Sequence, residues 1–209
     1  MFLNIFEVLD IILMTFILGF LFMSTLKPVK KVSEDILEKY TKKSYSFDWH
    51  SLWFAALITA PAIILHEFGH KITALSFGFT STLHAACSTA NIAGGGFFDF
   101  YCGLTIVSIV LKIVNFGFIF FIPAFVETVG NATVLQHTLI SVAGPLVNLA
   151  LFLITLIILK THKKLSLKMM NFLTLTKNIN LFLFVFNMIP IPGFDGFNVF
   201  RGIWLMIGL

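Results

Sequence analysis

The sequence predicts an all-α polytopic membrane protein with a small membrane-associated β segment. Its 209 residues are 58% hydrophobic and only 11% charged, and the mean hydropathy is +0.96. A soluble domain has about 25% charged residues and about 45–50% apolar ones. We therefore expect an integral, multi-pass protein of the cell membrane, with about four full spans, a re-entrant or interfacial hairpin and a short C-terminal helix.

Four apolar stretches are long enough to cross a lipid bilayer, which takes about 20 residues of helix. They are residues 2–26, 51–77, 136–159 and 169–190. Residues 27–50 carry six lysines against four acids, and residues 160–168 form a second lysine-rich loop. The net charge of +4 arises in these loops, which are typical of segments flanking membrane spans and not of a nucleic-acid surface. Within the first loop, residues 32–40 predict a short surface helix.

Residues 78–103 contain few charges and many Gly, Ser, Thr and Ala residues. Residues 80–86 and 91–100 predict short strands around small-residue turns. The three glycines at 94–96 allow another backbone to approach closely. The segment is therefore either a flexible loop or an edge strand to which an unwound substrate adds.

The chain has two cysteines, Cys87 and Cys102. They are too few and too loosely spaced for a disulfide framework or a cysteine-based zinc site. They could pair within one loop, but we expect each of them to serve in packing.

The second span contains the pentad His-Glu-x-x-His, formed by His66, Glu67 and His70. Residues four apart share one face of a helix, about one turn from each other, so the two imidazoles can hold one zinc ion. Glu67 lies where it can take a proton from water on that metal. The pentad is a zinc-protease signature, and ionisable groups at membrane depth are candidates for function. The alternative is a chance match, with both histidines bonded to neighbouring helices.

The setting of the pentad also bears on its role. Pro61 lies about one turn before His66, where a proline can kink the helix and open a cavity that water enters.

Catalytic zinc takes three protein ligands, of which the pentad supplies two. Glu7 and Asp10 lie at the start of the first span, and the acids of the first loop are solvated. Three acidic residues remain as candidates for the third ligand: Asp99, Glu127 and Asp195.

Two further motifs follow the pentad. The third full span contains Ser141-x-x-Gly144-Pro145-x-x-Asn148, and the last span ends in Asn187-x-x-Pro190-x-Pro192-x-x-Asp195-Gly196. In this order, the three motifs resemble the site-2 protease family of intramembrane zinc metalloproteases. The resemblance covers residues 60–196 and is far more specific than the pentad alone. Phe194 stands where that family usually has leucine.

The resemblance implies roles for individual residues. It implies one zinc ion per chain, held by His66, His70 and Asp195, with Glu67 as the catalytic acid and base. It also implies that the segment around the three glycines at 94–96 is the family's membrane-associated β segment. The residues implied to hold the substrate are Asn187, Gly94, Gly95 and Gly96. The residues implied to maintain the structure are Gly144, Pro145 and Asn148.

The three implied ligands restrict how the chain crosses the membrane. His66 and His70 lie near the end of the second span, and Asp195 follows the last span. Both spans must then run in the same direction, so an odd number of crossings must separate them. Residues 136–159 supply one crossing. We therefore predict that residues 104–125 enter and leave the membrane on one side.

This hairpin is predicted to bend near Asn115 and Gly117, with the long side chain of Lys112 reaching the surface. Both lysine-rich loops then share one side of the membrane, and the metal site opens to the other. The positive-inside rule places the lysine-rich loops in the cytoplasm. Members of the resembled family, however, usually place the zinc nearer the cytoplasm. The sequence leaves the orientation open.

The expected function is hydrolysis of peptide bonds in or near transmembrane helices of membrane protein substrates. One alternative is another type of membrane metalloprotease that uses Glu127 as the third ligand in a Glu-x-x-x-Asp helix, although residue 131 is Asn. A second is a non-catalytic membrane protein of the same fold that binds a metal or a partner helix. The other histidines are expected at interfaces or in loops: His50, His84, His137 and His162.

The predicted organisation has three parts. Residues 1–50 form the first span and its hydrated connector, residues 51–196 form the catalytic membrane core, and residues 197–209 form the C-terminal helix. The sequence does not indicate an oligomeric state.

Overall fold

Six helices and two strands make up the part of the chain that the structure, a computed structural model, describes. That part comprises residues 3–29, 47–88, 100–114, 124–162 and 164–208. In chain order the elements are α1 (Ile5–Phe22), α2 (Trp49–Ser76), β1 (Thr80–Ala85), α3 (Phe100–Ile113), β2 (Ala124–Val129), α4 (Val134–Thr161), α5 (Leu167–Asn187) and α6 (Asp195–Met206).

Four of these helices, α1, α2, α4 and α5, are long and apolar enough to cross a membrane. The prediction of an all-α polytopic membrane protein with a small β segment is thereby confirmed. Each of the four begins at a side chain that accepts a hydrogen bond from a backbone N–H of the first turn, as helix N-caps do. These N-cap residues are Asn4, Asp48, Thr133 and Ser166.

Helix α2 packs against α1, α4 and α5, and its contacts with α5 show the direction in which α5 runs. Near the start of α2, the ring of Phe54 contacts Phe172, which lies near the start of α5. Farther along both helices, Ile63 at the middle of α2 and Leu183 near the end of α5 line one cavity. Helices α2 and α5 therefore run in the same direction, as the implied ligand set requires.

Strands β1 and β2 form an antiparallel pair, with Thr80 opposite Val129 and Ala85 opposite Ala124. The strand predicted at 80–86 is confirmed. Strand β2 was not predicted from the sequence, because its partner strand lies about forty residues earlier in the chain. The predicted strand at 91–100 falls outside the described residues, except that Phe100 begins α3.

A disulfide bond joins Cys87, just after β1, to Cys102 in the first turn of α3. The expectation that each cysteine serves only in packing was therefore wrong. The fold brings the end of β1 and the start of α3 together, with a Cα–Cα distance of 4.5 Å. Linear spacing in a segment without regular periodicity does not reveal this approach.

Helix α3 leads away from the sheet alongside α1. Near its far end, Lys112 donates a hydrogen bond to Ser24, which lies just beyond the end of α1. Partial burial and the nearby charge of Lys27 lower the pKa of Lys112. The chain then returns to pair β2 with β1. Both ends of the predicted hairpin thus lie beside β1, as expected for a segment that enters and leaves on one side.

Glu7 and Asp10, at the start of α1, hold the sheet in place. Glu7 accepts a hydrogen bond of 2.7 Å from the backbone N–H of Leu83, and Asp10 accepts one of 3.2 Å from that of Ala85. Lys71 of α2 forms a buried ion pair with Glu7. These bonds join α1, α2 and β1 beside the pentad.

Four further sequence predictions concern the C-terminal helix, the surface helix, the bend of the hairpin and the division of the chain. The C-terminal helix, predicted to begin at 197, begins at Asp195. The predicted surface helix at 32–40 and the bend at Asn115 and Gly117 lie outside the described residues. The division of the chain after residues 50 and 196 stays a prediction.

Candidate metal centre

His66 and His70 are buried one turn apart on α2, with their ring centroids 4.8 Å apart. Their Nε2 atoms are separated by 3.1 Å. Oδ2 of Asp195 lies 3.1 Å from Nε2 of His66 and 3.3 Å from Nε2 of His70. The structure therefore brings together the three residues that the sequence resemblance implied as ligands, and they form a group able to hold a metal ion.

The chain between α5 and α6 positions the carboxylate. Helix α5 ends at Asn187, and the prolines at 190 and 192 cannot continue it, because proline lacks the backbone N–H and its ring clashes with the preceding turn. Gly193 follows with φ of +99°, a conformation that only glycine adopts without strain. The chain turns there, and Asp195 becomes the first residue of α6, where a helix N-terminus favours negative charge.

The hydrogen bonds of the two imidazoles decide which nitrogens face the metal position. Nδ1 of His66 lies 2.6 Å from Oδ1 of Asn148, and Nδ1 of His70 lies 2.7 Å from the carbonyl oxygen of Ile140. Both oxygens are acceptors, so each Nδ1 carries the proton and donates it. In the neutral form of each imidazole, Nε2 then presents its lone pair towards the other Nε2 atom and towards Asp195.

Three lone-pair acceptors that converge within 3.3 Å without a proton between them repel one another. A bound cation removes that repulsion. On a tetrahedral zinc ion, with ligand distances near 2.0–2.2 Å, neighbouring ligand atoms lie about 3.3 Å apart. The separations of 3.1–3.3 Å and the donor set of two imidazoles and one carboxylate therefore fit zinc.

Gly144 of α4 allows that helix to pass directly beside both rings. A Cβ at this position would overlap Nε2 of His70 and would lie 2.7 Å from Nε2 of His66. Any side chain here would therefore fill the metal position. This explains physically why the motif in the third full span has glycine at 144, beside the buried Pro145.

Asn148 and Asn180 together keep a proton on Nδ1 of His66. The amide nitrogen of Asn148 donates to the carbonyl oxygen of Ala62 and to Oδ1 of Asn180, so its own Oδ1 faces His66. Asn180 in turn donates to the carbonyl oxygen of Thr176. Both asparagines are almost fully buried. Such outer partners orient metal-binding histidines and increase metal affinity.

A cavity of about 350 Å³ adjoins the metal position. Glu67, buried beside His66, contributes to its wall, as do Asn187 and strand β2. The wall also contains His137 from the start of α4 and Asn198 from α6. The cavity therefore combines a candidate acid/base and several neutral hydrogen-bonding groups around the three ligands.

Over 154 residues, the chain is 35% identical to the protein named "Putative zinc metalloprotease MJ0611" of Methanocaldococcus jannaschii, and the match covers 70% of each chain. The chain belongs to the family of this protein. No family model matches the chain, and no solved structure matches it. The region from α2 to α6, which contains the candidate metal centre, makes up most of the present chain.

Glu127, the alternative third ligand, does not take part in this centre. It lies on β2 with its side chain 61% exposed, and its Oε2 atom is 3.6 Å from Nε2 of His84. Asp99 and the glycines at 94–96 lie outside the described residues. The structure therefore does not bear on a substrate-binding role for these glycines.

Three residues of the site were not predicted from the sequence. Asn180 was not singled out, although a polar amide inside an apolar span is a signal of function or of internal hydrogen bonding. His137 was expected at an interface or in a loop, whereas it lines the cavity, and Asn198 was not considered. Their positions depend on how α4 and α6 pack, and no local pattern shows this.

Proposed function

We propose that this protein is an intramembrane zinc metalloprotease of the site-2 type. It would hold one zinc ion per chain and hydrolyse peptide bonds in or near transmembrane helices of membrane proteins. The observation that carries this proposal is the convergence of His66, His70 and Asp195, as three lone-pair donors to a metal, beside the buried Glu67. The name of the relative from Methanocaldococcus jannaschii and the four apolar helices support it.

The proposed chemistry divides between the metal and the chain. When bound, zinc would polarise the scissile carbonyl and make water acidic enough to ionise near neutral pH. Glu67 accepts the proton of the attacking water and delivers it to the leaving amine. The amide of Asn187, which lines the same cavity, donates a hydrogen bond to the substrate or to its developing oxyanion.

The depth of the centre supports a substrate within the membrane. His66 lies ten residues before the end of α2 at Ser76, which is about 15 Å at 1.5 Å per residue. A transmembrane helix must unwind before its peptide bonds are accessible, because its backbone groups bond to one another. We therefore propose helices rich in Gly, Pro or Asn as preferred substrates, with the bilayer of the cell membrane as their surroundings.

Strand β2 is the proposed site at which the unwound segment binds. It pairs with β1 along one edge, and several of its residues line the cavity beside the metal ligands. An extended peptide can add to the other edge of a strand through backbone hydrogen bonds. The glycines at 94–96 stay proposed for this role on the resemblance alone.

The test uses the full chain reconstituted in liposomes with a reporter protein whose single transmembrane helix has Asn and Pro at its centre. Zinc per chain is measured by elemental mass spectrometry, and reporter cleavage by gel and mass spectrometry. We expect Glu67→Gln to keep zinc and to lose cleavage by at least a hundredfold. Glu127→Gln, an exposed carboxylate away from the three ligands, is the control for zinc content and should keep a full ion.

Three results would contradict the proposal. If the wild-type chain contained no zinc, the metal assignment would be wrong. If Glu67→Gln cleaved the reporter as fast as the wild type, or if the zinc-loaded wild type cleaved no Gly-, Pro- or Asn-containing helix, the non-catalytic alternative would be favoured. That alternative is a membrane protein of the same fold that binds a metal or a partner helix.

A further inference from the structure

We infer that the metal centre opens to the extracytoplasmic side of the membrane, on the face opposite both lysine-rich loops. The orientation rests on charge and on the disulfide bond. Its consequence for substrates rests on the proposed proteolysis.

The helix bundle has two distinct ends. We call one the sheet end: it contains β1, β2, the starts of α1 and α4, and the ends of α2 and α5. The other, the lysine end, contains the ends of α1 and α4 and the starts of α2 and α5. At the lysine end, Asn171 donates to the carbonyl oxygen of Lys27, which joins the start of α5 to the chain after α1.

Positive charge is concentrated at the lysine end. Among the residues that the structure describes, five lysines belong to it: Lys27, Lys112, Lys160, Lys164 and Lys168. The connector that joins α1 to α2 adds five more in the sequence, and the short loop after α4 adds another. The clustering includes Lys112, which belongs to neither loop and reaches this end only because α3 runs alongside α1.

The sheet end has far fewer basic residues. Within the described ranges these are Lys71, which is buried in an ion pair with Glu7, and Arg201 on α6. Lys177 lies midway along α5. Short loops rich in Lys and Arg stay in the cytoplasm, and acidic residues contribute little to this preference. The charge asymmetry therefore places the lysine end in the cytoplasm.

The disulfide bond supports the same orientation independently. It lies at the sheet end, where it joins Cys87 after β1 to Cys102 of α3. Disulfide bonds form and persist in oxidising compartments outside the cytoplasm. A charge rule for one end and a redox rule for the other therefore agree, although they depend on different residues.

This orientation determines how substrates reach the centre. The cavity is lined by β2 and by the first turns of α4, so it faces the sheet end. His66 lies about 15 Å, and His70 about 9 Å, from the end of α2 on that side. The proposed substrates are therefore membrane proteins cut in the outer half of the bilayer, with the unwound segment entering from the extracytoplasmic surface. This answers the question that the sequence left open, and it differs from the usual placement in the resembled family.

Labelling of one added cysteine tests the orientation in intact cells that express the full chain with its native Cys87 and Cys102. Two exposed polar positions form a matched pair: Asn131→Cys, between β2 and α4 at the sheet end, and His162→Cys, just after α4 at the lysine end. A membrane-impermeant maleimide is applied before or after lysis. We expect Asn131→Cys to react in intact cells and His162→Cys to react only after lysis, with at least a tenfold difference in each case.

Every other pattern would overturn the inference. Reversed labelling places the centre on the cytoplasmic side, reaction of both positions in intact cells means mixed orientation, and reaction of neither means that the sheet end is not outside. The wild-type chain is the background control, because its paired cysteines should react only after reduction. Free thiols in the unreduced wild type would remove the disulfide argument.

The same labelling is carried out in Glu67→Gln, where activity has no influence. A failure of orientation would leave zinc content and reporter cleavage unchanged. A failure of the proposed proteolysis would leave the labelling pattern unchanged. The two results can therefore be told apart.

Discussion

Two clusters of buried ionisable groups lie side by side in this bundle, and they differ in how their charges are matched. In the cluster around Glu7, the carboxylate accepts hydrogen bonds from the ammonium group of Lys71 and from the backbone N–H of Leu83. In the cluster around His66, the Nε2 atoms of two neutral imidazoles and a carboxylate oxygen, all hydrogen-bond acceptors, instead face one another. The first cluster is complete within the protein, whereas the second is complete only with a cation.

The comparison shows why a list of buried polar residues does not identify a metal centre. Both clusters contain acids at membrane depth, where an unmatched charge is costly. Only the balance of donors and acceptors distinguishes the structural cluster from the functional one. Substitutions in the His66 cluster should therefore change metal binding, and substitutions in the Glu7 cluster should change stability alone.

The largest effect on metal binding is expected from Asp195→Ala. This change removes one of three ligands, and the remaining two imidazoles cannot hold zinc through purification. We expect zinc content to fall from one ion per chain to near zero by elemental mass spectrometry. Glu127→Ala is the matched control and should keep a full ion. Equal zinc in the two variants would show that the third ligand is another residue.

Gly144→Ala should have an effect almost as large, without removing a ligand. The added methyl group would lie 2.7 Å from Nε2 of His66 and overlap the ring of His70, so the metal position would be filled. We expect at least a hundredfold loss of zinc affinity in competition with a chelator. Gly103→Ala, a helical glycine whose Cβ would meet nothing within 4 Å, should bind zinc like the wild type.

Asn148→Ala and Asn180→Ala should have smaller, graded effects. Asn148 fixes the tautomer of His66 directly, and loss of such a partner lowers metal affinity by about 10–100-fold. Asn180 acts through Asn148, so its loss should cost less. Chelator competition measures both. Asn178→Ala, at an exposed position on α5 near Asn180, is the control. If Asn180→Ala lowered the zinc affinity no more than Asn178→Ala, the action of Asn180 through Asn148 would be contradicted.

Lys71→Met should have the smallest effect on metal binding and a clear one on stability. It leaves the buried carboxylate of Glu7 without its cation, and breaking a buried ion pair in this way costs about 3–5 kcal/mol. Thermal unfolding in detergent should show a lower midpoint, which the double variant with Glu7→Gln partly restores. Zinc affinity of the folded protein should change by less than threefold. A loss comparable to that of Gly144→Ala would mean that the two clusters are coupled.

Much of the fold and of the candidate site could be predicted because the signals are local. A span is recognisable from about 20 apolar residues in sequence, and the pentad places two imidazoles on one helix face whatever surrounds it. The prediction that residues 104–125 leave the membrane on the side they entered followed from counting crossings between the ligands. It stays a prediction, and the described elements at its two ends, the start of α3 and β2, both lie beside β1. Local periodicity was sufficient for the spans and the pentad.

Other features depend on contacts between distant segments. Three contacts join residues that no sequence periodicity relates. They are the pairing of β2 with β1, the disulfide bond between Cys87 and Cys102, and the hydrogen bond between Asn148 and Asn180. Glu7 and Asp10 were recognised only as the start of a span, because their partners on β1 lie more than seventy residues away. Such contacts exist only after the helices have packed.

The sequence by itself determined that this is a membrane protein with a histidine pair suited to a metal, since hydropathy and helical spacing are properties of short segments. Only the tertiary structure showed which acid lies beside the histidine pair, which acceptor each imidazole Nδ1 faces and how the two cysteines pair. These depend on distances of about 3 Å between atoms on different helices, set by close packing at residues such as Gly144. A linear chain does not specify such distances until it is folded.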